Sequence, residues 1–352
     1  MFKGETVIVV GAGASTEFGL PDGNELKDEI HTLLDMKYDP VNGLQRGDST
    51  IWHAIQKYLK DNNISTQAEY DHYFQACYQI RDALPQSESI DNYIHSHRGN
   101  KSIELCAKLA IARSILEAEK GSSLHFDTSN IYNTIDFKEN ESTWLNKFFI
   151  LLTSGYSVDE IAERLKHIIF IVFNYDRCIE HFLYYSLQNY YQIDGPKAAG
   201  LLKYLNIYHP YGTVGNLVWS KAENIADFGY EPGTDALLKL VSQIKTFTEG
   251  TDPESSEIKA IGESIRNAGM VLFLGIAFRN LSLDLIRPEH MTKEHIRTTR
   301  VFATALGSSI HNRDISSKKL QILCHCEWDS IIIRNELGCK ELFTDYSESF
   351  SS

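Results

Sequence analysis

Residues Val7-Ile8-Val9-Val10 run straight into Gly11-Ala12-Gly13-Ala14-Ser15-Thr16, and no other stretch limits the fold of the chain so strongly. Four β-branched apolar residues without alternation predict a strand buried on both faces, as in a parallel sheet flanked by helices. A glycine has no Cβ, so the backbone there turns tightly and comes close to a ligand. A strand, a Gly-x-Gly turn and a helix start together make the place where α/β folds hold a dinucleotide pyrophosphate, through free amides and the helix dipole. Thr16 stands where the third glycine of the G-x-G-x-x-G pattern belongs. The spacing alone therefore suggests some dinucleotide, with a plain strand–helix turn as the alternative.

A chain of 352 residues accommodates one large domain or two smaller ones, on a prior of about 150 residues each. Its 43% hydrophobic and 23% charged residues match a soluble globular protein. The net charge of −13, with no long basic run to offset it, argues against nucleic acid as a direct partner. Six cysteines without a C-x-x-C pair leave a zinc ribbon no ligand set and suggest reduced thiols in a cytosol. The first residues carry only Lys3 ahead of a glycine-interrupted apolar run, which suits a strand better than a signal peptide. No run reaches the about 18 apolar residues that span a membrane, so a soluble, cytoplasmic protein is expected.

From Asn24 to Lys166 the sequence reads as helices joined by polar loops, with no buried strand. Helical spacing marks Ile51 to Lys60, Glu69 to Leu84, Ile103 to Lys120 with Ser102 as N-cap and Gly121 as the closing glycine, and Thr143 to Thr153. Ser157 and Glu160 have capping-box spacing. A second buried strand, His167 to Phe173, leads into Asn174-Tyr175-Asp176 and a helix from Arg177 to about Tyr191. Tyr204 to Tyr208 is a third candidate, ending in His209-Pro210-Tyr211-Gly212. An acidic helical stretch, Thr234 to Glu249, and a loop, Thr251 to Ser256, follow. Strands are then expected at Met270 to Leu274, Val301 to Leu306 and Ser330 to Arg334, with helices near Lys318 to Cys324 and Cys339 to Phe343. Strands alternating with helices give an α/β fold with a parallel sheet, whose ligand chemistry belongs at the strands' carboxyl ends. Ser347 to Ser352 reads as a disordered tail.

Several of these features occur in one order: GAGAS followed by Gly19-Leu20-Pro21, then Asn-Tyr-Asp at 174–176, then His209-Pro-Tyr-Gly, then Gly275 and Gly307 at later strand ends. This ordered set resembles the sirtuin domain, and more closely the sirtuin-like domains of bacterial antiphage defence. The resemblance covers the first 25 residues and most of 167 to 345. It implies a Rossmann-like sirtuin core at 1–23 and 167–346, a helical insertion at 24–166 after the first strand–helix unit, and a tail at 347–352. It also implies that Gly11, Ala12, Gly13 and Ser15 wrap the NAD+ pyrophosphate and nearby ribose. Asn174 then lies beside the nicotinamide ribose, Asp176 near the nicotinamide end, and His209 takes the place of the catalytic histidine on the ribose hydroxyls. Gly275, Gly307 and Ser308 fall at strand ends on the adenosine side. Ser89-Ile90-Asp91-Asn92-Tyr93 matches a segment that recurs in these defence proteins and is expected beside the pocket. Asp22-Gly23 replaces the family's F-R, the zinc-binding cysteine pairs are missing, and H-G is stretched to His209-Pro-Tyr-Gly212. All three departures weigh against deacylation more than against NAD+ binding.

The resemblance implies NAD+ as substrate, no metal, and cleavage of the C1′–nicotinamide bond through an oxocarbenium-like state, as in glycoside cleavage. An asparagine amide suits a ribose hydroxyl or attacking water, and a histidine can act as base near neutrality. Alternatively, each residue is structural: Asp176 an N-cap, Asn174 a turn residue, His209 part of a rigid turn before proline. The expected function is an NAD+ hydrolase of abortive infection, held off until a partner protein, a nucleotide signal or homo-oligomerisation releases it. A protein deacylase or ADP-ribosyltransferase, and a non-catalytic module that binds NAD+ or ADP-ribose derivatives, are the alternatives.

Overall fold

The computed structural model describes residues 4–64, 66–130, 132–245, 255–288 and 300–351. Six strands form one parallel sheet: β1 (Thr6–Val10), β4 (Ile168–Val172), β5 (Asn206–Tyr208), β6 (Met270–Leu274), β7 (Arg300–Thr304) and β8 (Ile331–Arg334). Their spatial order is β5-β4-β1-β6-β7-β8. Counted within this sheet that is 3-2-1-4-5-6, the Rossmann-like order. An antiparallel pair that is not buried, β2 (Lys37–Asp39) and β3 (Gly43–Arg46), lies in the stretch expected to hold helices and polar loops. It is short and carries no buried alternation, which is why periodicity does not reveal it.

β1 is buried along its whole length because β4 and β6 flank it in matching register, with Val10 opposite both Val172 and Leu274. Side chains alternate across the sheet. Val7, Val9, Ile169, Ile171, Val271 and Phe273 enter one core, and Ile8, Val10, Phe170, Val172, Leu272 and Leu274 the other. The helices of the 24–166 stretch divide between these cores. Those at Gly23–Leu33, Ser49–Asp61, Gln67–Ala83 and Lys101–Gly121 bury their apolar sides in the first, whereas Trp144–Thr153 and Ile161–Leu165 bury theirs in the second. The stretch therefore covers both faces of the sheet and shares its cores.

Local chemistry shifts several boundaries. Asn100, not Ser102, caps the long helix, because its side chain accepts from the Ser102 and Ile103 amides. The helix expected near Lys318 begins at Ile310, capped by Ser309. Among the described residues the acidic stretch forms a helix over Thr234–Leu240 and a 3-10 turn to Gln243. Its end and most of the 251–256 loop lie outside the described residues. The serine-rich terminus is helical over Ser347–Ser351, with Phe350 buried against Phe302 and Phe343. Among the described residues no helix is long and apolar enough to cross a membrane.

Candidate functional site

The sheet order reverses between β1 and β6, so the crevice of this fold opens at their carboxyl ends. Backbone meets backbone there. Gly11 N donates to Leu274 O (2.9 Å), Gly13 N to Gly275 O (3.0 Å), and Gly275 N to Thr304 Oγ1 at the end of β7 (2.8 Å). Gly275 has φ +59, and a Cβ on it would lie 2.1 Å from Ala14 N. Only glycine fits. The Ala12 amide, opening the 3-10 turn that follows Gly11, has no backbone acceptor among the described residues. From the opposite side Trp144 holds the turn, donating from Nε1 to Ala14 O (2.8 Å), and Glu17 accepts from the Trp144 and Lys340 amides (2.8 Å each).

A cavity of about 690 Å³ lies over these turns, within the range of small-molecule and cofactor sites. Its wall includes Gly11, Ala12, Gly13, Asn174, Asp176, Gly275 and Ser308, seven of the residues expected at the site. Ser15, Gly307 and His209 are not among its lining residues. Ser15 lies buried beneath the wall as a link: its Oγ donates to Asp176 Oδ2 (2.9 Å) and accepts from Asn174 Nδ2 (2.9 Å). Asn174 Nδ2 also donates to Gly11 O (3.2 Å). A carbonyl only accepts, so these contacts fix which end of the amide is nitrogen. Among the described residues Asn174 Oδ1 is thereby left buried with no hydrogen-bond partner, against the rule that buried acceptors are paired. Asp176 Oδ1 accepts from the Cys178 amide (3.1 Å) just ahead of the helix Cys178–Tyr191, whose N-cap is Arg177 and not Asp176.

His209 stands behind Asn174. Its Nδ1 is 3.3 Å from Asn174 O and its Nε2 2.7 Å from Glu180 Oε1. Burial on its own would lower the His209 pKa, but the Glu180 carboxylate and the Asn174 carbonyl outweigh it and the net shift is upward. Burial likewise pushes Glu180 up, and the His209 charge and hydrogen bond reverse this to a net lowering.

Two further groups complete the surroundings of the site. Arg177 and Glu119 form a buried pair, 2% and 0% exposed, in which the carboxylate also accepts from Arg177 N (3.1 Å) and Gly229 N (3.1 Å). Arg177 in turn donates to the carbonyls of Ala226 (2.6 Å) and Asp227 (3.0 Å). The wall of the cavity also includes Asp91, Tyr175, Tyr211, Arg279 and Ser282. Tyr175 O–H donates to Asp91 Oδ1. Burial raises the Asp91 pKa, opposed by the Tyr175 hydrogen bond and the charge of Arg279. The Arg279 guanidinium pairs with Glu88 (3.2 Å). The Ser89–Tyr93 segment was the one sequence signal for this wall, and Ser89, Ile90 and Asp91 line the cavity. Among the described residues no cluster of three or more His, Cys, Asp or Glu side chains could hold a metal ion, and all six cysteines are buried thiols.

Compared with protein-family models and with curated proteins, the chain matches none.

Proposed function

We propose that this chain is an NAD+ hydrolase that cleaves the nicotinamide–ribose bond to give nicotinamide and ADP-ribose. The observation that carries the reading is Asn174: an amide oriented by Gly11 and Ser15 in the wall of a cavity of about 690 Å³, with its oxygen lacking a partner among the described residues. A ribose hydroxyl or attacking water supplies the missing donor. The Gly11–Gly13 turn, closed against Gly275, suits the pyrophosphate, and Ser308 lies farther along the same wall. Asp176 fixes Asn174 through Ser15, and His209 supports it through its carbonyl. The likeness to sirtuin-like defence domains extends the reading to an antiphage effector of abortive infection, acting in the cytoplasm and released by a protein partner, a nucleotide signal or homo-oligomerisation.

The test follows nicotinamide and ADP-ribose release from NAD+ by the purified chain, alone and with the products of neighbouring genes. Asn174→Ala should lower release by about 100-fold or more, the scale of a lost transition-state contact. Release that needs an acylated peptide would replace hydrolysis with deacylation. Tight binding of NAD+ or ADP-ribose without turnover under any condition would leave a nucleotide-sensing module.

A further inference from the structure

We infer that the group accepting the proton during hydrolysis is Asp91, and that His209 is a fixed imidazolium anchoring Asn174 from outside the cavity. The inference rests on the reading of the chain as an NAD+ hydrolase. Both His209 nitrogens face acceptors, a carboxylate oxygen at 2.7 Å and a backbone carbonyl at 3.3 Å. A neutral imidazole has one N–H and satisfies one of them, whereas the protonated ring satisfies both. A ring already carrying both protons has no lone pair with which to take another, and His209 does not line the cavity.

Asp91 has the properties that His209 lacks. It lines the cavity, on the wall formed by Tyr175 and Tyr211, the neighbours of Asn174 and His209 in their respective loops. The Tyr175 phenol holds Oδ1, which leaves Oδ2 as a second acceptor. Burial makes the carboxylate more basic than a solvated one, opposed by the Tyr175 donor and the charge of Arg279. The charged and titratable groups that act on it are Tyr175, Tyr211 and Arg279. A carboxylate of raised basicity in the cavity wall suits the role of general base. The water oxygen bonds to C1′ as the C1′–N bond breaks. That bond's electron pair returns to the nicotinamide nitrogen, and the water proton passes to Asp91 and then to solvent. NAD+ and water thus give ADP-ribose, nicotinamide and a proton.

The decisive comparison is Asp91→Asn, which keeps the size and the acceptor for Tyr175 but removes the base. Under conditions where the full-length wild type releases nicotinamide, the variant should lose about 100-fold or more in kcat, with the Kd for NAD+ within about threefold. Tyr175→Phe removes the donor that favours the ionised form, so the acid limb of the kcat–pH profile should move to higher pH. Nitrogen NMR of the His209 ring at pH 7 should report both nitrogens protonated. Release by Asp91→Asn within about threefold of wild type overturns the assignment and leaves NAD+ hydrolysis standing. If Asp91→Asn does not fold, an unmoved acid limb in Tyr175→Phe overturns it equally. A neutral His209 ring refutes the anchoring role. Wild-type protein that binds NAD+ yet never releases nicotinamide removes the hydrolase reading, and this one with it.

Discussion

Three glycine substitutions separate the two demands placed on the switch-point turns. Gly307 has φ +77 with nothing within 4 Å of an added Cβ, so Gly307→Ala meets only the backbone penalty, about 1–2 kcal/mol for an L-residue in the left-handed region. Gly11 has φ −114, which any residue adopts, but its Cβ would lie 2.7 Å from Gly275 O and 2.8 Å from Ile276 Cα. Gly11→Ala therefore meets only overpacking, about 1–3 kcal/mol where backbone must give way. Gly275 combines φ +59 with a Cβ 2.1 Å from Ala14 N and 2.4 Å from Gly13 C. Gly275→Ala should thus lose about 2–5 kcal/mol, close to the sum of the other two. Urea unfolding reads this as a shift in midpoint at constant m-value. A Gly275→Ala loss within about 0.5 kcal/mol of Gly307→Ala would refute the close approach of the two turns, since only their contact distinguishes the positions.

Two other perturbations probe the surroundings of the site. Glu119→Gln strands the Arg177 guanidinium in the core and should destabilise by about 3–5 kcal/mol. The Glu119→Gln/Arg177→Met double variant should recover part of that loss in a denaturation cycle, and no recovery would mean the pair is not coupled. His181 is buried against Phe228 with Nε2 bonded to Leu124 O (3.1 Å), and burial depresses its pKa to about 3. Below the unfolded value of about 6.5 the unfolded chain takes up a proton that the folded ring refuses, so this contribution to stability falls as pH falls, by about 1.4 kcal/mol per unit. Between pH 6.5 and 4, His181→Phe should show a shallower loss of stability than wild type; equal slopes would rule out a neutral buried ring.

What the sequence discloses and what it hides divide along physical lines. β1, β4 and β6 are legible because a strand buried on both faces must be continuously apolar, and Val7–Val10, Ile168–Val172 and Met270–Leu274 are. Asn174 and Asp176 are legible because a strand end fixes their place. The helix Ile310–Cys324 is poorly legible since Ile310, Ile315 and Ile322 all stay exposed and define no buried stripe. The terminal helix hides behind serines that suit a tail, its order supplied by the single Phe350. Asp91 shows only through the resemblance of Ser89–Tyr93, and Glu119 is least legible of all. Their partners Tyr175 and Arg177 lie 84 and 58 residues away, and no local pattern records a contact made only by closure of the chain.

Those distant contacts change how the 24–166 stretch is understood. Four consecutive residues after β4 each hold a different part of the molecule: Asn174 the Gly11 turn, Tyr175 the Asp91 carboxylate, Asp176 Ser15, and Arg177 the Glu119 carboxylate with the 226–227 carbonyls. Two of the four partners come from the helical stretch. The same stretch covers the sheet on both faces, through Ile111 and Leu116 on one side and Trp144 and Phe148 on the other. A core assembled from 1–23 and 167–346 alone would therefore lose cover from both faces of its sheet, leave Arg177 a buried cation without its carboxylate, and open the wall of the cavity at Asp91. By this packing the helices are part of the site as well as of the fold, since Asp91 and Glu119 hold Tyr175 and Arg177 in the same loop as Asn174.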